Sequence, residues 1–391
     1  MAKKIRVGVI FGGKSSEHEV SLSSAASIIA SIDRDKYEIV PIGITKTGRW
    51  VLGEGAKKLI PQEVIEAGRP ILIPPDPQVK EILPMPAPSE SQGGSTASLA
   101  HRPSRGPLES NAIDVVFPVL HGRFGEDGTI QGLLELAGIP YVGGGVLASA
   151  VGMDKDVMKR LFRDAGLPIP KFLVFRKEEL SSRRAACKQS IASKIGFPCF
   201  VKPANSGSSV GIHKVHSVRE LERAFADALR YDEKVLVEQG IVGREIECSV
   251  LGNQAPLASV PGEVISVHEF YDYEAKYIDE GSRLIIPAKL TKAQLKRVRK
   301  LAVAAYTAID CTGMARVDFF VERPSGKVYV NEINTIPGFT KISMYPKLWE
   351  ASGISYTELI DRLLQLAMER HASRTQLICS YERPKPGHPG A

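Results

Sequence analysis

Residues 315–338 combine two strand-like runs with side chains that can bind metal ions. The segment reads ARVDFFVERPSGKVYVNEINTIPG, and its two alternating runs flank a Pro-Ser-Gly turn. A three-residue hairpin loop there predicts that Asp318 lies opposite Glu332 and that Arg316 lies opposite Asn334, with opposed Cβ atoms about 5 Å apart. An Asp–Glu pair alone is typical of a solvated strand face. The added amide and guanidinium favour a site where Asp318, Glu332 and Asn334 bind two Mg²⁺ ions.

A second candidate segment, FVKPANSGSSVGIHKV, occupies residues 200–215. Lys202 ends a strand-like run, and a Gly/Ser-rich stretch follows, which we call the phosphate loop (residues 204–211). Backbone N–H groups and hydroxyls of such a loop can fold over phosphates while Lys202 neutralises their charge. The segment lacks the G-x-x-x-x-G-K-[ST] pattern of a P-loop, and alone it would often be an ordinary turn. Together with the metal hairpin (residues 315–334) it indicates a nucleotide site.

The composition bounds the class of protein. The chain has 391 residues, 43% hydrophobic and 24% charged, which predicts a multidomain soluble protein. No apolar stretch approaches the roughly 18 residues of a spanning helix, so we expect no membrane segment. Five cysteines without a C-x-x-C pair predict reduced thiols and a cytoplasmic location. The net charge of +7 suits a small polyanion such as ATP, and no nucleic-acid motif accompanies the basic runs.

The chain divides into three units by its pattern of strands and helices. Residues 1–143 alternate strand and helix, as in an α/β domain, and a Pro/Ser/Gly-rich insertion at 76–110 is predicted to be mobile. Residues 144–238 form a small α+β unit that includes helices at 153–165 and 177–194. Residues 239–380 form a second α+β unit, with a helix capped by Thr291, and 381–391 form a flexible tail.

These motifs, in this order, resemble the ATP-grasp carboxylate–amine ligases. Within that group the chain is similar to the D-alanine–D-alanine ligase family over roughly residues 5–370. The resemblance implies an ATP-grasp fold preceded by a parallel α/β domain. The motifs that carry it are FGGKSSEHEVSL (11–22), VLHGRFGEDGTIQG (119–132), GMDK (152–155), KPANSGSSVG (202–211), YDYEAKY (271–277) and NEINTIPG (331–338).

The resemblance implies a reaction and its substrates. Two D-alanine molecules would be joined through D-alanyl phosphate, with release of ADP and phosphate, for peptidoglycan precursors. It also implies ATP, two Mg²⁺ or Mn²⁺ ions and a homodimer.

Residue roles follow from the same resemblance. The nucleotide would contact Lys155, Lys202, Glu238, Gln239, Gly240, Ile241, Glu245 and Lys276. Glu17 would bind the ammonium of the first D-alanine near His121. Ser208 and Tyr277 would link to Glu17 and close a lid with Lys276. The oxyanion of the tetrahedral intermediate would be bound by Arg316 and the Gly338 N–H. Ser343 would bind the carboxylate of the second substrate.

Three other functions stay open on the residues alone. The run GGGVLA at residues 143–148 satisfies G-x-G-x-x-A after a short strand, which would suit an NAD-dependent oxidoreductase. Another ATP-grasp ligase, such as a glutathione-synthetase-like or D-alanine–D-lactate enzyme, would share the nucleotide site. D-lactate-using relatives tend to lack a tyrosine at the position of Tyr277, which favours peptide formation here. A binding module without catalysis would leave the metal and phosphate ligands without a purpose.

Overall fold

The computed structural model describes residues 3–53, 59–79, 81–85, 112–207, 210–265 and 283–378. Three of the predicted site residues, Ser208, Lys276 and Tyr277, lie outside these ranges. Within them, no helix has the length and apolar content needed to cross a membrane.

A six-stranded sheet forms the N-terminal unit. Its strands are β1 (Ile5–Gly12), β2 (Tyr37–Ile44), β3 (Trp50–Leu52), β4 (Arg69–Leu72), β5 (Leu83–Pro84) and β6 (Val115–Val119), in the order β5-β4-β3-β2-β1-β6. Strands β2, β1 and β6 are parallel, and their nearly continuous apolar sequences are buried on both faces. The helices of this unit are α1 (His18–Ser31), α2 (Pro61–Ala67) and α3 (Thr129–Leu136). The predicted α/β pattern is confirmed.

The predicted insertion at 76–110 begins too early. Leu83 and Pro84 pair with β4, Glu81 bridges to Ala112, and Ile82 is buried. These residues therefore belong to the first sheet, because the isolated apolar side chain of Ile82 fills a place in its core. The rest of the insertion, residues 86–110, lies outside the described residues.

The helix expected at 153–165 is present as α5 (Lys155–Asp164), and a separate short helix, α4 (Val146–Met153), precedes it. The two helices are divided at Asp154, whose side chain accepts hydrogen bonds from the first turn of α5 as an N-cap. Met158 and Phe162 of α5 are packed in the same core as Val317 and Ile333. Helix α5 therefore lies against the metal hairpin. The boundaries between units that the sequence predicts at residues 143 and 238 stay a prediction.

A four-stranded antiparallel sheet forms the central unit. Its strands are β7 (Phe172–Arg176), β8 (Cys199–Pro203), β9 (His213–Val215) and β10 (Lys234–Gln239), in the order β7-β10-β8-β9. The long helix expected at 177–194 is instead α6 (Lys177–Ser182) and α7 (Arg184–Lys194), because Arg183 leaves the helical conformation. Helix α8 (Leu221–Ala228) covers the sheet.

The C-terminal sheet carries the metal hairpin. Its strands are β11 (Gly243–Gly252), β12 (Leu257–Ala258), β13 (Gly262–Ile265), β14 (Arg283–Ile285), β15 (Gly313–Glu322) and β16 (Val328–Asn334), in the order β14-β13-β11-β15-β16 with β12 beside β11. Helix α9 (Lys292–Ala308) begins with a capping box between Thr291 and Gln294, as the sequence predicted for Thr291. The sheet and helix share one apolar core.

The predicted register of the hairpin is confirmed at the metal-binding residues but is wrong near the loop. Val321 pairs with Val328, which is one residue away from the pairing that a three-residue loop requires. A bulge at Asn331 then takes up the extra residue, so Asp318 faces Glu332 and Arg316 faces Asn334 as predicted.

The last two helices fasten the C-terminal end to the first sheet. They are α10 (Met344–Glu350) and α11 (Tyr356–Thr375). Leu359 and Leu363 share a core with Val7 and Phe117 of the first sheet. The metal hairpin is thereby held next to the N-terminal domain.

Candidate active site

A cleft lies between the central sheet and the C-terminal sheet. Strands β8, β9 and β10 supply one wall, and β11, β15 and β16 supply the other. Nine of the residues predicted from the sequence line it: Lys202, Glu238, Gln239, Gly240, Ile241, Glu245, Arg316, Asp318 and Glu332. Lys202, which precedes the phosphate loop, and the metal hairpin therefore line the same cleft.

Lys202 is held by a buried carboxylate that a second lysine shares. Its Nζ donates to Glu238 Oε2 at 2.7 Å, and the Nζ of Lys159 contacts the other oxygen, Oε1. Burial lowers the pKa of Lys202, but the charges of Glu238 and Glu332 outweigh this and raise it. Burial would raise the pKa of Glu238, yet the two lysines hold it below its ordinary value. The side chain of Glu238 is thus the counter-ion of these two lysines.

The hinge between the two sheets begins at the end of β10. Gly240 N–H donates to Pro198 O at 3.1 Å, and a Cβ at this position would come within 2.7 Å of the same oxygen. Only glycine permits so close an approach. Gln239, Gly240 and Ile241 therefore form a fixed backbone edge on the cleft, and such an edge can hydrogen-bond a flat heterocycle.

Lys155 connects the phosphate loop to the metal hairpin. It opens α5 directly after Asp154, whose carboxylate is bonded by Lys234 at 2.7 and 2.5 Å. The Nζ of Lys155 donates to Ser206 O at 2.7 Å and lies 3.7 Å from Glu332 Oε2. The ammonium group of Lys155 therefore lies between the phosphate loop and the metal hairpin, which is where a phosphate-binding group is needed.

The metal hairpin presents its predicted residues on one face. Arg316 donates to both oxygens of Asp318 at 2.7 Å, and Asn334 Nδ2 donates to Asp318 Oδ2 at 3.1 Å. Arg316 Nε also lies 3.0 Å from Oε2 of Glu247, the partner of Asp318 on β11. Burial opposes the charge of Arg316, but these two carboxylates raise its pKa well above the ordinary value.

The donor set fits a divalent cation. Mg²⁺ prefers one or two carboxylates together with phosphate oxygens and water, and Asp318 and Glu332 with the amide of Asn334 supply that type of set. Among the residues that the structure describes, no three His, Cys, Asp or Glu side chains gather closely enough to hold a metal on their own. An incomplete protein shell of this kind suits a metal that arrives with a nucleotide.

Glu17 lies between two loops that each bring a glycine close to its carboxylate. It precedes α1 and is 5% exposed. A Cβ at Gly122 would come within 2.6 Å of Glu17 Oε2, and one at Gly207 within 3.1 Å. The carboxylate is therefore placed between the loop after β6 and the phosphate loop, where the residue after Gly207, Ser208, is outside the described part of the chain.

His121 is buried, neutral and bonded on both ring nitrogens. Nδ1 lies 3.2 Å from Ile336 O, and because a carbonyl can only accept, Nδ1 carries the proton. Nε2 then accepts from Ser24 Oγ at 3.2 Å. Burial lowers the pKa of His121 despite the charge of Glu17. His121 thus joins α1 to the segment after the metal hairpin, and its proximity to a substrate stays a prediction.

Glu126 is a second carboxylate next to Glu17. Its Oε2 accepts from Gly122 N–H at 2.7 Å, and the Ile336 N–H also bonds it. Burial, together with the charge of Glu17, raises its pKa to about 8. Glu126 therefore clamps the loop that carries His121 to the segment after the hairpin.

Gly338 and Ser343 lie side by side after the metal hairpin. A Cβ at Gly338 would come within 3.1 Å of Ser343 Oγ. That hydroxyl accepts a hydrogen bond from Thr340 N–H at 3.0 Å. It also forms a hydrogen bond with Thr340 Oγ1 at 2.8 Å, in which either hydroxyl can donate. Phe339 N–H donates to Ser24 Oγ at 3.3 Å, which ties this turn to α1. The turn is fixed beside His121 and within the same region as Glu17.

The glycine-rich run at 143–148 is packed against protein. A Cβ at Gly313 would lie 3.1 Å from the backbone of Gly143, and Arg370 bonds the carbonyl of Gly143. The turn therefore serves as a contact between strand β15 and helix α11, and this argues against a dinucleotide site.

Sequence reasoning missed Lys159 and Glu247, although weak signals existed. Lys159 follows Lys155 by four residues, which places both on one helix face. Glu247 follows Glu245 by two residues, which places both on one strand face. Glu126 stands within one of the motifs that carried the resemblance, but no role was assigned to it.

Comparison with known proteins identifies the family. The family model described as D-ala D-ala ligase N-terminus matches residues 6–144, and the one described as D-ala D-ala ligase C-terminus matches residues 161–365. A D-alanine–D-alanine ligase from Thermoanaerobacter sp. (strain X514) is 52% identical, over 94% of this chain and 98% of the relative. One from Acetivibrio thermocellus is 51% identical, over 95% and 98%.

Solved structures agree with this result. The D-alanine–D-alanine ligase from Coxiella burnetii has a TM-score of 0.78 and 37% identity, covering 96% of this chain and 97% of that one. A D-Ala:D-Ser ligase from Enterococcus faecalis has a TM-score of 0.80 and 38% identity, covering 93% and 100%. The fold is thus the ATP-grasp fold with an N-terminal domain, and the chain belongs to the D-alanine–D-alanine ligase family.

Proposed function

We propose that the chain joins two D-alanine molecules to D-alanyl-D-alanine at the expense of ATP. The carboxylate of the first D-alanine attacks the γ-phosphorus and ADP leaves, which gives D-alanyl phosphate. The amine of the second D-alanine then attacks the acyl carbon and phosphate leaves. The observation that carries this proposal is the cleft in which Lys202, Asp318 and Glu332 face one another, in a chain of this family.

The nucleotide is bound by the cationic and hinge residues of the cleft. Lys155 and Lys202 neutralise phosphate charge, which a buried site would otherwise have to bear without solvent. The backbone of Glu238, Gln239, Gly240 and Ile241 holds the adenine, and Glu245 on β11 holds the ribose. All of these residues except Lys155 line the same cleft, and the Nζ of Lys155 lies 3.7 Å from Oε2 of Glu332, which lines it too.

Divalent ions are held by Asp318, Glu332 and Asn334, and we propose two Mg²⁺ or Mn²⁺ ions. When bound, they stabilise the negative charge that develops on the transferred phosphoryl group. Arg316 keeps Asp318 oriented through two hydrogen bonds until a cation competes for the carboxylate.

The first substrate is oriented by Glu17 through its ammonium group. A charge-assisted contact of this kind fixes one end of a small amino acid, so that its carboxylate points towards the cleft. Arg316 and the Gly338 N–H stabilise the oxyanion of the tetrahedral intermediate. Ser343, placed beside Gly338, binds the carboxylate of the second D-alanine.

Water exclusion is assigned to a lid formed by residues outside the described ranges. Ser208 and Tyr277 link to Glu17 by hydrogen bonds, and Lys276 covers the nucleotide, so that D-alanyl phosphate is protected from hydrolysis. The proximity of Gly207 to Glu17, whose Oε2 would lie 3.1 Å from a Cβ at Gly207, supports this for the phosphate loop. A homodimer, a cytoplasmic location and a role in peptidoglycan precursor synthesis complete the proposal.

The direct test is ADP release from Mg·ATP with D-alanine compared with L-alanine. The proposal expects ADP release with D-alanine alone, and a product with the mass of a dipeptide. D-serine and D-lactate are added as second substrates, because one structural relative is a D-Ala:D-Ser ligase. Equal ADP release with both alanine enantiomers would contradict the assignment.

A further inference from the structure

Lys159 is a buried lysine to which the proposed function gives no role. It lies on α5 with 1% of its surface exposed, and it does not line the cleft. We propose that Lys159 is a positioning residue for nucleotide binding: it shares the carboxylate of Glu238, so that the charge of Lys202 remains available to phosphate. The inference rests on the proposed function, because it assumes that the cleft binds ATP.

Each carboxylate oxygen of Glu238 pairs with a different lysine. Lys202 takes Oε2 at 2.7 Å, and Lys159 takes Oε1. All three side chains are buried, but only Lys202 and Glu238 reach the cleft. Two ammonium groups and one carboxylate give this group, which we call the cationic triad, a formal charge of +1, and the next carboxylate that acts on both lysines is Glu332, a proposed metal ligand.

Burying an excess charge costs free energy unless an ion of opposite sign lies beside it. The open side of the cationic triad is the cleft, which Lys202 and Glu238 line and Lys159 does not. A nucleotide phosphate supplies the missing anion. Without Lys159, the pair of Lys202 and Glu238 would have no net charge, and its attraction for phosphate would be weaker.

A second contact connects the cationic triad to the metal hairpin. Lys159 Nζ donates to the backbone carbonyl of Asn331 at 2.8 Å. Asn331 is the bulge residue whose insertion brings Glu332 opposite Asp318. One ammonium group therefore holds both the carboxylate behind the phosphate lysine and the bulge behind the metal ligands.

The test measures the binding of ADP and of adenosine to full-length Lys159→Met with Mg²⁺ present. Methionine keeps much of the volume and removes the charge. ADP affinity is expected to fall by roughly tenfold to a hundredfold, since Glu238 then neutralises Lys202 and weakens its charge-assisted contact with phosphate. Adenosine affinity is expected to stay within about twofold of the wild-type value, because it carries no phosphate. Arg160→Met, at the next and exposed position of α5, is the matched control.

Charge rescue distinguishes this role from a structural one. Lys159→Met combined with Glu238→Gln leaves Lys202 as the only charge, which restores the net charge of the cationic triad. This double variant is expected to regain most of the ADP affinity that the single variant loses. If Lys159→Met alone does not fold, Glu238→Gln is compared with the double variant, and the ratio of ADP affinity to adenosine affinity should be higher in Glu238→Gln.

The contrary outcomes are equally defined. Parallel losses of ADP and adenosine affinity, or a double variant no better than Lys159→Met, would overturn the inference and indicate a packing role. Unchanged ADP affinity in Lys159→Met would overturn it as well. If wild-type protein bound no ADP, the proposed function would fall, and this inference with it.

Discussion

Arg316 and Glu247 form an ion pair on the face of the C-terminal sheet, with 3.0 Å between Nε and Oε2. Arg316 is also bonded by Asp318 through both carboxylate oxygens. The guanidinium is therefore held from two sides, on two different strands. Since Arg316 is the residue proposed to meet the oxyanion, Glu247 should act by orienting it.

Glu247→Gln is expected to lower kcat by roughly tenfold to a hundredfold, the usual cost of losing a group that orients a ligand of the site. KM for ATP should change little, because Glu247 supports Arg316 rather than the phosphate lysines. Glu263→Gln is the matched control, since Glu263 pairs with Arg244 on the same sheet outside the proposed catalytic group. Steady-state kinetics decide the question, and an effect of similar size in both variants would remove the orienting role.

Glu126 predicts a pH-dependent stability. Burial and the charge of Glu17 raise its pKa in the folded protein from 4.5 to about 8. The folded state therefore binds this proton more tightly, so its contribution to stability is full below about pH 4.5 and is lost as the pH rises through about 8. Glu126→Gln cannot ionise and avoids that loss.

The Tm of Glu126→Gln minus the Tm of the wild type should accordingly increase from about pH 5 to about pH 8. Thermal unfolding of both proteins in matched buffers measures the difference. A difference that stays constant across this range, or that falls, would show that Glu126 is ionised in the folded protein throughout.

Much of the site follows from sequence because strand geometry is strict. Asp318 and Glu332 could be paired by counting along a hairpin, since side chains alternate faces with period two. The predicted loop was one residue too short, and the pairing survived only because the bulge at Asn331 shifts the register back. Hydrophobic pattern does not reveal a bulge, so this agreement was partly fortuitous.

The missed residues share a physical cause. Lys159 and Glu247 bear charge at buried positions, and their partners are 79 and 69 residues away in the chain, at Glu238 and Arg316. Local pattern assigns such residues to solvated faces, because only tertiary pairing makes their burial possible. The packing of α11 on the first sheet was missed for the same reason, as it joins opposite ends of the chain.

The second substrate is predicted to depend on Tyr277, a residue outside the described ranges that the sequence motif alone singles out. Tyr277→Phe should keep ligase activity but gain D-alanyl-D-lactate formation at acidic to neutral pH. The attacking amine must be deprotonated, so its reactive fraction falls about tenfold for each pH unit below its pKa, whereas a hydroxyl acid is not affected in this way. Product analysis with both second substrates from about pH 6 to pH 9 tests this. An unchanged ratio of dipeptide to depsipeptide would exclude Tyr277 from the choice of nucleophile.

The most direct measurement is the mass-spectrometric detection of D-alanyl-D-alanine made from Mg·ATP and D-alanine by the wild type, Glu332→Gln and Glu322→Gln. Both variants change one carboxylate of the same hairpin to an amide, but the carboxylate of Glu322 accepts a hydrogen bond from Ser325 Oγ near the loop and does not line the cleft. Wild type and Glu322→Gln should form the dipeptide, and Glu332→Gln should form it more than about a hundredfold more slowly while keeping the wild-type Tm within a few degrees. Dipeptide formation by Glu332→Gln at the wild-type rate, or none by the wild type, would contradict the account.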